Sequence, residues 1–317
     1  MTTRRLLLLC LAQSVPQTKA FWTRPAVLAV PSRPFVHKTQ ATVRSTSAAA
    51  TTSLGTEFWG SPRTEEEIAD FVAEAIFGAD AEGNGGRNKV QVLVSEPPLV
   101  LIHDFLPQDM CIDIVDAAVE TGGLRRSTMG AEQDVSEDRT SSNAWLREEH
   151  AEAPLRTFAD RASRLTGVLP DHMENLQVVH YSPGQKFDVH ADHLDSFNDL
   201  EIRGRLATIL LYLNSASPTS QPAAESSDLT GGETWFPEFD VTVAPRRGSA
   251  LFWWNTVERP GSDGYDPEMF LNCDVRMRHA GLPVLSGEKW ACNRWIHPVP
   301  TGSEVRGYEE SVRRAAI

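Results

Sequence analysis

The first 56 positions of this chain hold no acidic residue; Glu57 is the first. No apolar run approaches the ~20 residues that a membrane-spanning helix needs. Cysteine is scarce. Cys10, Cys111, Cys273 and Cys292 stand far apart, with no Cys-x-x-Cys pair and no zinc-type spacing, which argues against a disulfide framework. No Asn-x-Ser/Thr sequon occurs, which weighs against a heavily glycosylated secreted protein. Positive charge is also in deficit. With 43 acidic against 30 basic residues the formal net charge is −13, so a nucleic-acid backbone is not the main partner. What is present is an ordinary globular composition, 41% hydrophobic, able to bury a sizeable core.

The acid-free N-terminus has internal order. Arg4 and Arg5 precede the apolar run Leu6 to Ala12, and small residues at Thr18 and Ala20 suggest cleavage before Phe21, the pattern of a signal peptide. From Phe21 to Thr56 the chain is rich in Ser, Thr, Ala and Pro, with Arg24, Arg33, Lys38 and Arg44, which is transit-peptide-like. The combination resembles the two-part plastid presequences of algae with complex plastids; a plain disordered tail is the alternative. The expected location is the secretory pathway (endoplasmic reticulum lumen), or a plastid if the presequence has two parts. Its removal would leave a net charge of roughly −20.

Beyond it, Thr64 and Glu67 form a capping box ahead of a helical repeat carrying Ile68, Phe71, Val72, Ala75 and Ile76. "GADAEGNGG" reads as a linker. Two buried strands, "VQVLV" and "LVLIHDF", are followed by a helix opened by Pro107 and a second over about Pro154 to Thr166. From Leu176 the pattern becomes about eight short strands, including "HAGLPVLSG" as one, which points to a β-sandwich or barrel. Ser215 to Thr230 is a polar insertion expected to be a surface loop.

The stretch "FDVHADHLD" raises the question of chemistry. In a strand, residues two apart share a face, so Asp188, His190 and Asp192 point one way and His193 the other. A His-x-Asp pair offers a nitrogen and a carboxylate oxygen to one point. A second His from another strand would complete the two-His-one-carboxylate set of non-haem Fe(II) oxygenases. For His-x-Asp alone a solvated polar edge strand is the better explanation. His279 supplies the second imidazole, and Lys289 stands ten positions later among aromatic residues. A Lys facing an apolar interior calls for an anion, and a dicarboxylate cosubstrate provides one.

At this point a resemblance is evident. "LQVVHYSPGQKFDVHAD", "RLATILLYLN", "GGETWFP", "HAGLPVLSGEKWACNRWIH", "RTSSNAWL" and "LIHDFLPQDMCIDIV" stand in the order found in the 2-oxoglutarate- and Fe(II)-dependent dioxygenases of the prolyl 4-hydroxylase type. The resemblance spans roughly Val90 to His297. Departures are Leu282 where many members have Cys, a longer loop before "GGET", and "DVRMR" before the distal His.

The resemblance implies a mainly β fold with flanking helices (α+β), a double-stranded β-helix or jelly roll packed against N-terminal helices. It implies His190, Asp192 and His279 as Fe(II) ligands and Lys289 as the partner of the 2-oxoglutarate C5 carboxylate. Tyr181 and Thr208 would lie at the cosubstrate, and Arg139, Arg205, Trp295 and His297 along the peptide groove. O2 and L-ascorbate complete the cofactor set. The implied activity is hydroxylation of peptidyl proline to 4-hydroxyproline, with release of succinate and CO2, on a proline-containing peptide or protein. The same chemistry on another peptide residue or a small molecule, or a non-catalytic jelly-roll binding module, are the alternatives. Asp188 is expected at the rim or in solvent, His193 away from the metal. The chain divides into a signal peptide (1–20), a transit-like or disordered presequence (21–56), a helix and linker (57–88), the dioxygenase domain (89–300) and a tail (301–317). Oligomeric state is not legible.

Overall fold

The computed structural model describes residues 58–78, 86–121, 123–127, 137–193, 204–217, 228–261 and 270–301. Contacts divide the chain into two units, Met1–Arg44 and Ser45–Ile317. The first, with the rest of the presequence, lies outside the described residues, as do 79–85 of the linker and 302–317 of the tail. All that follows concerns the second.

Three helices come early. α1 (Glu65–Phe77) starts at the expected capping box: the Glu67 amide donates to Thr64 Oγ1 at 3.2 Å and the Thr64 amide to Glu67 Oε2 at 2.8 Å. α2 (Gln108–Glu120) follows Pro107, whose missing N–H costs nothing at a helix start. α3 (Glu152–Thr166) stops at Gly167, where a φ of 74° is reached without a Cβ penalty.

The strands are β1 (Val90–Val94), β2 (Leu99–Ile102), β3 (Arg125–Arg126), β4 (Ser142–Leu146), β5 (Leu176–Tyr181), β6 (Phe187–His190), β7 (Ala207–Tyr212), β8 (Thr230–Gly231), β9 (Thr234–Phe236), β10 (Val241–Val243), β11 (Ala250–Trp254), β12 (His279–Gly281), β13 (Val284–Ser286) and β14 (Lys289–Ile296). They form an eight-stranded sheet, β1-β2-β11-β7-β14-β5-β4-β3, a four-stranded sheet, β10-β9-β12-β6, and the pair β13-β8.

Side-chain alternation sorts the major sheet into two cores. Val100, Ile102, Ile209, Leu211, Phe252, Trp254 and Cys292 pack with the helices. Leu99, Leu101, Leu210, Tyr212, Leu251, Trp253 and Ala291 pack with Phe236, Val243, Met277 and Val284. The neighbours Trp253 and Trp254 thus enter different cores, each fully buried. Trp59 joins the helical side, its indole N–H donating to the Leu165 carbonyl at 2.7 Å. Two antiparallel sheets facing each other, with helices on the outer face of the larger, are the expected jelly roll.

The structure corrects one detail. "HAGLPVLSG" is two strands in different sheets, because Pro283 has no N–H for a ladder and the chain turns there. The 215–230 insertion, of which 218–227 lie outside the described residues, is tied at its base: Ala216 and Leu229 form a parallel bridge, and the Ser217 amide donates to the Leu229 carbonyl at 2.8 Å. Cys111, Cys273 and Cys292 take part in no disulfide among the described residues. Among the described residues no helix is long and apolar enough to cross a membrane.

Candidate metal centre and cosubstrate pocket

Strand register builds the centre. β6 and β12 are antiparallel neighbours, and His190 stands directly opposite His279. Each imidazole has its Nδ1 at a backbone carbonyl, Asp188 O at 2.7 Å for His190 and Met277 O at 3.1 Å for His279. A carbonyl only accepts, so each Nδ1 carries the proton and each Nε2 keeps its lone pair. Phe187 stacks on His190 with ring centroids 3.5 Å apart, and Trp253 meets His279 edge-on at 4.7 Å.

Asp192 lies past the last ladder residue of β6, so strand alternation does not fix its direction. Its Oδ1 is 3.6 Å from His190 Nε2 and its Oδ2 3.8 Å from His279 Nε2. Candidate ligand atoms of the three residues all lie within 4.8 Å of one another. Burial and the nearby His279 lower the His190 pKa to about 3, leaving a neutral imidazole. Burial raises the Asp192 carboxyl, but the Arg205 charge and the Trp295 indole help leave it below its usual value, ionised. Two neutral nitrogens and one carboxylate oxygen converging from one side are the donor set of a non-haem Fe(II) site.

Lys289 opens β14 opposite Tyr181 of β5 and is 3% exposed. Its Nζ lies 5.3 Å from the Tyr181 ring centre and 5.8 Å from that of Tyr212. Among the described residues no carboxylate comes within ion-pair distance of it. Burial pulls its pKa down to about 8, against a smaller upward pull from Glu233. The lysine stem runs close beside Gly232: a Cβ there would sit 3.1 Å from Lys289 Cδ, and the glycine φ of +73° disfavours any side chain. A buried cation lacking a partner fits the far carboxylate of a dicarboxylate acid such as 2-oxoglutarate.

The remaining residues fall into two groups. Tyr181 is buried in the same wall as Lys289. Arg139 lies over Phe187 at 4.9 Å and donates to Gln177 Oε1 at 3.0 Å. Arg205 and His297 are buried and converge on Glu174: Arg205 Nε donates to Oε1 at 2.6 Å and Nη2 to Oε2 at 3.2 Å, while His297 Nε2 is 2.8 Å from Oε1. The Arg205 guanidinium lies 3.5 Å from the Trp295 ring centre. Thr208, expected at the cosubstrate, donates its hydroxyl proton to Asp192 Oδ2 at 2.8 Å. Asp188 pairs with Lys186 at the surface, and buried His193 is 3.1 Å from the Arg205 carbonyl through Nδ1.

Sequence reasoning passed over Glu174, Asn255 and Thr234. Thr234 accepts the Tyr212 hydroxyl at 2.8 Å beneath Lys289, and its place in "GGETWFP" was the available signal. A cavity of about 520 Å³ between α3, residues 170–175 and Pro300–Thr301 contains neither the triad nor Lys289.

The family model of the 2OG-Fe(II) oxygenase superfamily matches residues 176–297, the segment that carries all three triad residues and Lys289. The chain is 34% identical over 236 residues to prolyl 4-hydroxylase 5 of Arabidopsis thaliana, covering 69% of this chain and 74% of that protein. It is 34% identical over 215 residues to prolyl 4-hydroxylase subunit alpha-3 of Homo sapiens, covering 65% of this chain and 35% of that longer protein. Among solved structures, the viral collagen prolyl hydroxylase of Paramecium bursaria Chlorella virus-1, in its 2OG complex, aligns with a TM-score of 0.48 and 26% identity over 63% of this chain and 96% of that one. The extent of the match to the plant enzyme, over a segment that holds this metal centre, places the chain in the prolyl 4-hydroxylase family of 2-oxoglutarate- and Fe(II)-dependent dioxygenases.

Proposed function

We propose that this chain hydroxylates peptidyl proline to 4-hydroxyproline, consuming 2-oxoglutarate and O2 and releasing succinate and CO2. The observation that carries the reading is the pairing of the His190–Asp192–His279 cluster with a buried, carboxylate-free Lys289 on the strand beyond.

Fe(II) with 2-oxoglutarate, when bound, supplies the oxidising power for an unactivated C–H bond. The protein contributes position and exclusion. The carbonyls of Asp188 and Met277 hold both imidazoles as ligands, and Asp192 stays ionised. Lys289, with Tyr181 beside it, anchors the far carboxylate. The Phe236, Trp253 and Phe187 rings around the imidazoles keep water out, which protects the site from unproductive oxidation. Arg139 and Trp295 flank the peptide side, with Arg205 and His297 behind them. L-ascorbate serves as the reductant that restores Fe(II).

The test is succinate release by the chain from about Leu54, with Fe(II), 2-oxoglutarate and ascorbate, with and without a proline-rich peptide. Peptide-stimulated succinate and a product heavier by one oxygen atom are expected, both reduced at least roughly 100-fold in His190→Ala. Succinate without peptide stimulation would discard the prolyl substrate and keep the oxygenase. Bound iron with no succinate on any substrate would leave a binding module.

We also infer that residues 1–56 direct the chain into a membrane-bounded route. Support comes from Arg4 and Arg5 ahead of the Leu6–Ala12 run and from the acid-free stretch behind it. A fluorescent fusion of these residues that stays diffuse in the cytosol would refute this.

A further inference from the structure

Asp192 is the one ligand of the triad that no strand holds. Both imidazoles are fixed by the β6–β12 register and by carbonyls two residues upstream, Asp188 on β6 and Met277 just before β12. Asp192 follows the end of β6 and is reached from the opposite sheet. Thr208 Oγ1, on β7, stands 2.8 Å from Asp192 Oδ2. Asn255 Nδ2, one residue beyond β11, stands 2.9 Å from the same hydroxyl. The hydroxyl has a single proton. A carboxylate is the stronger acceptor, and the alternative, Asn255 Oδ1, is more distant at 3.3 Å. Donation from the Asn255 amide occupies a lone pair of the hydroxyl and turns its proton onto Asp192. The Asn255 backbone is pinned: its main-chain N–H donates to the Leu206 carbonyl at 2.8 Å and its main-chain carbonyl accepts from the Asp274 N–H at 2.8 Å. Thr208 and Asn255 are 0% and 2% exposed.

We propose that Thr208 and Asn255 are positioning residues that form a directed relay, Asn255 to Thr208 to Asp192, which sets how the carboxylate meets the metal. With Oδ2 held by Thr208, the carboxylate cannot rotate without losing that bond. The relay acts on the metal only through Asp192, and it deepens the Fe(II) reading of the site on which it rests.

Polarity separates this role from packing. Thr208→Val keeps the shape and removes the hydroxyl. Asn255→Asp keeps the size but replaces the donor by an acceptor, which draws the Thr208 proton away from Asp192. Thr208→Ser restores the hydroxyl. The measurement is anaerobic calorimetric titration with Mn(II) and with Fe(II), alongside circular dichroism of each variant. Thr208→Val and Asn255→Asp are expected to weaken metal binding about 10- to 100-fold while staying folded, and Thr208→Ser to recover most of it. Succinate formed per hydroxyproline should rise in the same two variants. Folded variants that bind metal as the wild type does would overturn the relay while leaving the Fe(II) site standing. Wild type that binds neither metal would overturn both. Should Thr208→Val not fold, Asn255→Asp against Thr208→Ser decides the matter.

Discussion

Lys289→Ala is expected to raise the KM for 2-oxoglutarate at least roughly 30-fold, since truncating one side of a buried charge pair costs about 2–5 kcal/mol. The wild-type protein should show the same dependence through pH. Only the ammonium holds a carboxylate, and burial lowers its pKa from 10.5 to about 8 in the absence of ligand. The KM for 2-oxoglutarate should therefore climb as pH rises through 8. Stability moves the other way. Between pH 8 and 10.5 the unfolded chain holds the Lys289 proton and the ligand-free fold does not, so this group's contribution to stability rises with pH. Lys289→Met, which removes the buried charge altogether, should raise the Tm of the ligand-free protein at pH 7 while abolishing saturable 2-oxoglutarate binding. Steady-state kinetics from pH 6.5 to 9 and thermal melts test both halves. A flat KM with an unchanged melt would remove Lys289 from the cosubstrate site.

Glu174→Ala should be the more damaging change to the fold, at about 3–5 kcal/mol by urea denaturation, because it leaves Arg205 buried with its charge uncompensated and His297 without its acceptor. Burial raises the Glu174 carboxyl, but Arg205 and His297 outweigh it and bring the pKa down to about 2 from 4.5. A depressed carboxylate pKa stabilises above the unfolded value, so this contribution is complete above pH 4.5 and is lost as pH falls towards 2. The variant should thus lose much of the wild type's acid dependence of stability in that window. A loss under 1 kcal/mol would mean that water replaces the carboxylate. The two predictions are opposites in kind: Glu174 is a buried charge with its partners inside the chain, Lys289 one whose partner must come from outside.

That difference also explains what the sequence could reveal. His190, Asp192, His279 and Lys289 were legible because residues that rarely enter a core stood inside strand patterns, at spacings that one metal and one dicarboxylate require. The helices were legible from Thr64, Glu67 and Pro107, which act over a few residues, and from their apolar spacing. Glu174 was not, because what it does is defined by partners 31 and 123 positions away. Alternation along β7 says which face Thr208 takes, not which neighbour it meets, and that neighbour is a carboxylate 16 residues back, beyond the end of its own strand. Asn255 carried no sequence signal, and its value lies in the direction of one hydrogen bond.

The tie between Ala216 and Leu229 has a consequence for how this enzyme can change. Its two ends meet whatever runs between them, and the entropic cost of a longer closed loop grows only as the logarithm of its length, about 0.6 kcal/mol per doubling. Additions between these two residues therefore leave β7, which carries Thr208, and β8, which precedes Gly232, where they are. The insertion is a place where the chain can acquire new surface, and with it new choices of substrate, while the chemistry beneath is inherited intact.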